Sequence, residues 1–262
     1  MTGELVSTDT APYPSRSALP AQAPGRPPVG DGIAADTGSW TFAGEVSKVF
    51  VDHVRHSVPL YEQAHVIACD LSSCFVGPMG LGYELGSSTG QLLRQLATHS
   101  EANAAARWIG IDREPSMTAA AIQHCRDLDN VECIQADITG YPLDTCDFVA
   151  AHLTLQFLPI DARARVARRV HDALRPGGAF FMCDKVLAPD ARLEDLITTL
   201  HYRWKRRSGL SPEEILNKKE SLLGVLQPIT TSDNLAMLSQ AGFTSIVSVV
   251  KNLCFEGFIA VK

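Results

Sequence analysis

Gly82-Tyr83-Glu84-Leu85-Gly86-Ser87-Ser88-Thr89-Gly90 is the stretch that decides how this chain is read. Its apolar start is a short buried strand that ends on a carboxylate. The residues that follow, Gln91-Leu92-Leu93-Arg94-Gln95-Leu96, have helical spacing. Glycine at 86 lets the backbone approach a ligand closely, glycine at 90 lets the new helix pack tightly on the sheet, and the turn amides offer hydrogen-bond donors. That is the pattern of a nucleotide-cofactor turn. Glycine-bearing turns also join strands to helices without binding anything, so the flanking sequence must decide.

On either side, strands and helices alternate. The spacing predicts strands at 81–85, 107–111, 131–135, 148–151 and 179–184, with helices at 91–98, 115–128 and 162–174 between them. Such alternation is the mark of an α/β fold with a doubly wound, mostly parallel sheet, whose ligand sits at the carboxyl ends of the strands where the order reverses. Two amphipathic helices are predicted before the sheet. One carries Val46, Val49, Phe50, His53 and Val54 on one face; the other carries Ala64, Ile67, Ala68 and Leu71, with Pro59 just inside its start. Helices at 193–206, from Ser211-Pro212-Glu213-Glu214, and at 232–241 lead to strands at 244–250 and 253–261, which close the chain as an antiparallel edge.

Bulk composition narrows the function classes. With 262 residues, 45% of them hydrophobic, the chain can bury one substantial core. A net charge of −6 offers no footprint for nucleic acid, and no apolar run reaches the roughly 20 residues a bilayer requires. The expected partner is a small molecule. Cys69, Cys74, Cys125, Cys133, Cys146, Cys183 and Cys254 are odd in number and form no CxxC pair, which fits reduced thiols in a cytoplasmic protein and no metal site. Residues 1–38 hold Pro12, Pro14, Pro20, Pro24, Pro27 and Pro28 and no apolar signal core, and are expected to be a disordered or lid-like extension to a domain at 39–262.

Four polar side chains fall at the predicted strand ends. Glu84 closes the first, Asp112 the second, Asp137 follows the third, and His152 closes the fourth. An acid at the second strand end holds a ribose diol, and one after the third can accept from an adenine amino group. Singly, each acid is equally a cap or turn residue; Asp112 precedes a helix. In register, they point to an adenosine-bearing cofactor. NAD fits less well, because the turn lacks GxGxxG and Ser88 stands where a middle glycine belongs.

Here the chain resembles class I S-adenosylmethionine-dependent methyltransferases, and among them the carboxy-S-adenosyl-L-methionine synthase family. The matching stretches are Trp40-Thr41-Phe42, Val49-Phe50, Ser57-Val58-Pro59-Leu60-Tyr61, Leu85-Gly86-Ser87-Ser88, Gly110-Ile111-Asp112, Thr154-Leu155-Gln156-Phe157-Leu158, Pro176-Gly177-Gly178 and Lys205-Arg206. The resemblance implies a seven-stranded sheet, S-adenosylmethionine as cosubstrate and a homodimer. It further implies that Tyr61 reaches the cofactor, that Gly86, Ser87 and Ser88 line the methionine part, that Asp112 holds the ribose, that Asp137 with Ile138 reads the adenine, and that Glu84, Arg113 and His152 also belong to the cofactor-binding set. Arg206 matches an arginine that grips the carboxylate of the family's modified cofactor, a task suited to a planar fork.

The departures bear on the reaction. His152 replaces the family's asparagine, Glu84 its aspartate and Ser87 its cysteine, while Tyr202 and Arg203 replace a histidine and an aspartate. An imidazole facing the sulfonium can act as a base, where an amide can only orient. His152, Tyr202 and Arg206 are therefore the catalytic candidates. The leading expectation is a small-molecule transferase of methyltransferase type in a specialised pathway. The alternatives are cyclisation of the cofactor to azetidine-2-carboxylate and methylthioadenosine, carboxylation with prephenate, and a non-catalytic cofactor-binding scaffold.

Overall fold

Strand period and helix period alternate along the chain, and the computed structural model, which describes residues 26–262, follows that alternation. A hairpin of β1 (Pro28–Gly30) and β2 (Ile33–Ala34) leads into α1 (Val46–Ser57) and α2 (Tyr61–Phe75). There follow β3 (Leu81–Leu85), α3 (Gln91–Thr98), α4 (Glu101–Ala105), β4 (Arg107–Asp112), α5 (Pro115–Cys125), β5 (Val131–Gln135), β6 (Cys146–His152), α6 (Ile160–Ala173) and β7 (Leu174–Leu187). The chain closes with α7 (Ala191–Arg207), α8 (Pro212–Ser221), β8 (Ile229–Thr230), α9 (Thr231–Ala241), β9 (Ser245–Asn252) and β10 (Phe255–Val261).

The main sheet runs β5-β4-β3-β6-β7-β10-β9, with β8 paired to β7 off that path. The first five strands are parallel, and β10 lies antiparallel between β7 and β9. This is the expected seven-stranded, mostly parallel sheet with an antiparallel edge. Its order reverses between β3 and β6, so a crevice opens above their carboxyl ends, where Glu84 and His152 stand.

Both sheet faces are buried, as parallel strands require. Tyr83, Leu85, Ile109, Ile111, Val149 and Phe180 form one core with Val166 and Val170 of α6 and Leu238 of α9. Trp108, Phe148, Ala150 and Phe181 form the other with Ala64 and Ala68 of α2 and Leu92, Leu93 and Leu96 of α3. Gly82 has no side chain because the Trp108 ring covers it; a Cβ there would lie 2.3 Å from the indole. Ser211 and Glu214 form a reciprocal capping box that starts α8, as their spacing predicts.

Three expectations are corrected. The Pro-rich extension is not loose as far as Gly38: the hairpin packs Val29, Ile33 and Ala35 into a third core with Trp40, Val46, Val49 and Met117. Its prolines hid two very short strands whose apolar residues find partners only in tertiary structure; residues 1–25 of the expected extension lie outside the described residues. Pro59 precedes α2 rather than opening it, because Leu60 takes a left-handed conformation (φ 59°) that turns the chain between the two helices. Finally, β7 begins at Leu174 rather than at 179: Cys146 of β6 pairs with Leu174, and Pro176-Gly177-Gly178 lies within the strand.

Candidate active site

The carboxyl ends of β3, β4, β6 and β7 face α1, α2, α7 and α8 across one cavity of about 230 Å³. Tyr61, Glu84, Gly86, Ser87, Ser88, Asp112, Arg113, Asp137, Ile138 and His152 all line it. Residues spread from 61 to 152 in sequence are thus gathered around one cavity.

On the cofactor-turn side, the local fold consumes the amides that sequence reading had offered to a ligand. The N–H groups of Gly86 and Ser87 both donate to the Ile111 carbonyl, at 2.7 and 3.0 Å, and that of Ser88 donates to Asp112 at 2.8 Å. The turn folds back on the neighbouring strand, so it does not cradle phosphate. Gly86 is required by its φ of +76° and by Thr154, whose hydroxyl oxygen would be 2.4 Å from an added Cβ. Ser88 takes a left-handed conformation as well and donates to Met117 Sδ at 3.4 Å.

The acids remain equipped for an adenosine-bearing sulfonium. Asp112 accepts from the amides of Ser88 and Glu114, one on each oxygen, which fixes the carboxylate at the cavity edge. Asp137 spends one oxygen on the amide and hydroxyl of Thr139, both at 2.7 Å, and the other has no hydrogen-bond partner among the described residues. The Thr139 bonds hold its carboxyl below the usual range. Glu84 is 4% exposed, and its Oε2 has no partner among the described residues. Burial raises its pKa well above the ordinary value, and a buried acceptor without a donor is a site that a cationic ligand's N–H groups would satisfy.

Opposite the turn, one helix face and one strand end build an aromatic cage. Tyr61 opens α2 and His65 follows one turn later, so both project the same way, and β6 delivers His152 between them. His152 Nδ1 and His65 Nε2 are hydrogen-bonded at 3.0 Å. The His152 ring stacks on Tyr61 with centroids 5.2 Å apart, and His65 meets it edge-on at 4.8 Å. Burial holds His65 down to about 3 and His152 well below its ordinary value, so both rings are neutral at pH 7.

Not every candidate reaches the cavity. Tyr202 is half-buried and Arg206 exposed, and neither lines the cavity. The reason is helical phase. On α7 the pair His201 and Lys205 faces inward, four residues apart and both buried, while Tyr202 and Arg206 form the adjacent row, turned by about 100°. Sequence reading missed this pair. It also missed Lys185, Lys218, His53 and His65, all of which line the cavity. His65 carried a usable signal, since it shares a face with Tyr61; the lysines carried none, because Lys205 and Lys218 fall among other basic residues on helices and Lys185 near a strand end, places where a lysine reads as solvated.

A methyltransferase-domain family model matches residues 83–178. The carboxy-S-adenosyl-L-methionine synthase of Staphylococcus epidermidis is 34% identical over 85% of this chain and 97% of its own length, and that of Pseudomonas aeruginosa is 34% identical over 84% and 92%. The chain belongs to the carboxy-S-adenosyl-L-methionine synthase family. Solved structures of similar fold include the S-adenosylmethionine-dependent methyltransferase SibL (TM-score 0.60, 16% identity, 82% of this chain and 58% of that one). Human N-acetylserotonin methyltransferase in complex with S-adenosylmethionine is another (TM-score 0.57, 19% identity, 83% and 55%). As a member of this family, the chain is an S-adenosylmethionine-dependent transferase of class I methyltransferase fold.

Proposed function

We propose that the chain transfers a carbon group from S-adenosylmethionine to a small molecule held in the same cavity, with His152 taking the proton that the acceptor releases. The observation that carries this reading is the His65–His152 hydrogen bond between two neutral, buried rings stacked beside Tyr61. Bound S-adenosylmethionine supplies an electrophilic carbon on a sulfonium. The chain supplies the surroundings: the three rings present π faces to a cation and exclude water. With Nδ1 engaged by His65, Nε2 is the free nitrogen of His152. In the tautomer where His152 Nδ1–H donates to His65 Nε2, His152 Nε2 carries a lone pair and accepts the proton. An asparagine there would orient but not accept it.

A second reading is favoured by the same cage. Uncharged aromatic walls and a neutral base suit cyclisation, in which the amine of the cofactor's own methionine chain forms a bond to its γ-carbon as the bond to sulfur breaks. The amine's proton passes to the base, and azetidine-2-carboxylate and methylthioadenosine result. Incubating the protein with S-adenosylmethionine, with and without prephenate, and identifying products by mass separates the readings. S-adenosylhomocysteine, formed when candidate small-molecule acceptors are added to the same incubation, supports transfer, and methylthioadenosine with no added acceptor supports cyclisation. A carboxylated product that needs prephenate would show the reaction for which the relatives are named, and would overturn both.

A further inference from the structure

Immediately after His152 the chain makes a turn that its own residues disfavour. Leu153 is left-handed (φ 58°), a region where a leucine Cβ crowds the backbone. Hydrogen bonds hold it there. Its N–H donates to the Cys183 carbonyl of β7 at 2.7 Å, and its own carbonyl accepts from Gln156 Nε2 at 3.2 Å. Thr154, the next residue, turns its hydroxyl back to the His152 carbonyl at 3.1 Å, while the same side chain covers Gly86 of the cofactor turn.

Gln156 joins this turn to the neighbouring strand. It is 5% exposed, a degree of burial that an amide side chain tolerates only when it is hydrogen-bonded. Its Oε1 accepts from the Lys185 amide of β7 at 2.8 Å while Nε2 serves Leu153; a flipped amide would lose both bonds, so the partners fix its orientation. The main-chain carbonyl of Gln156 accepts from the Gln227 amide at 2.8 Å, and the Gln227 carbonyl in turn accepts from Arg163 Nη2 at 2.7 Å. Burial pulls Arg163 below its ordinary pKa, and the charge of Asp184, buried on β7, opposes this. Strand β7, helix α6 and the segment before β8 therefore all brace one residue. Gln156 lines the cavity, but its amide is committed to the main chain.

We propose that Gln156 is a positioning residue for the reaction: by clamping Leu153 in its left-handed turn and tying it to β7, it sets where His152 meets His65 and Tyr61. This rests on the functional reading above, in which His152 takes the proton. Gln156 does not touch the reacting atoms; it acts through the main chain. Released from the clamp, Leu153 relaxes toward an extended or right-handed backbone, and the end of β6 moves with it. A shift of about 1 Å in the imidazole is enough to cost on the order of a hundredfold in rate, because proton transfer depends on alignment. The adenosine end of the cavity, at Asp112 and Asp137, is left as it was.

Gln156→Met keeps the length of the side chain and removes both of its hydrogen bonds. In the full chain it should lower consumption of S-adenosylmethionine about 30-fold or more, in whichever of the incubations above yields product. Methylthioadenosine, which reports the adenosine end, should bind within about threefold of wild type by calorimetry. Adding Leu153→Asn to Gln156→Met should raise turnover again by about fivefold or more, since asparagine enters the left-handed region far more readily than leucine. A glutamine that merely filled space would not be answered by a change of backbone preference. In protein carrying isotope-labelled histidine, the N–H shared by His65 and His152 gives a resonance that His65→Ala and His152→Ala each remove, and Gln156→Met should broaden or remove it as well. The proposal is overturned by loss of methylthioadenosine binding along with turnover, by turnover within about threefold of wild type, by an unmoved resonance, or by no recovery in a folded double variant. If Gln156→Met fails to fold, Gln156→Asn, which keeps the amide but falls one methylene short, carries the same criteria. A wild type that consumes no S-adenosylmethionine overturns the functional reading instead, and the resonance then still tests the clamp.

Discussion

His53 Nδ1 lies 3.0 Å from a carboxylate oxygen of Asp31, and this contact ties the N-terminal hairpin to the wall of the cavity. Asp31 sits in the hairpin turn with a left-handed backbone (φ 53°), and its side chain is 7% exposed. Replacing it with alanine removes two hydrogen bonds to a buried charge and orphans both histidine nitrogens. Asp31→Ala should cost about 2–4 kcal/mol of stability. Chemical denaturation checks this, and a loss under about 0.5 kcal/mol would mean that the hairpin is held by its apolar residues alone.

His152 and His65 should separate in their effects. His152→Ala is expected to lower turnover about 10²-fold or more, since general-base catalysis contributes on that order, while methylthioadenosine binds almost as before. His65→Ala should lower turnover less and move the pH profile, because His65 only sets which nitrogen of His152 holds the proton. Equal loss of binding in both proteins would show that the pair is structural.

Gly86→Ala combines a left-handed backbone with a Cβ placed 2.4 Å from the Thr154 hydroxyl oxygen. Neither can be relieved without moving the end of β6 and His152 with it. The expected outcome is a loss of about 1–3 kcal/mol in stability together with weaker cofactor binding. Denaturation and calorimetry on the same preparation measure the two effects.

Arg206 is exposed and turned away from the cavity, whereas Lys205 beside it is buried and faces inward. Arg206→Ala should leave the affinity for S-adenosylmethionine within about twofold, the usual range for a surface change. A larger loss by calorimetry would show that Arg206 acts on a cofactor, and only a cavity of another protomer would then be open to it.

Stability should fall on acidification. His53 is held down to about 4, His65 and His201 to about 3, and His152 well below its ordinary value, all chiefly by burial. Below pH 6.5 the unfolded chain therefore takes up four protons that the fold refuses. Three carboxyls oppose this: Asp184, raised to about 7, Glu84, raised well above its ordinary range, and Asp112, raised by burial, bind protons in the fold first. The histidines outnumber them, so between pH 6 and 5 the unfolded state binds the more protons and stability drops on the order of 1–2 kcal/mol per pH unit. Denaturation midpoints that rise over this interval would contradict the balance.

The sheet was legible in sequence because its strands are short apolar runs separated by helical periods, and strand ends fixed the places of Glu84, Asp112 and His152. The Asp137 loop was legible for the same reason. What escaped was set by tertiary contact. The hairpin at Pro28 looked like a loose tail because its few apolar residues are buried against Trp40, α1, α5 and α8, the last two distant in sequence. The inward row of α7, His201 and Lys205, also escaped, since a resemblance aligns residues but does not fix which row of a helix turns inward.

Met117 belongs to the core that seats Val29 and Trp40, and its sulfur also accepts the hydroxyl proton of Ser88 in the cofactor turn. The hairpin and the turn therefore share a single packing contact, though they lie far apart in the chain. Whatever orders Ser88 also deepens the seat of the hairpin. Amide exchange at Val29 and Ile33 thus becomes a clock for occupancy of the cavity, slowing when a ligand settles at the turn and quickening when it leaves.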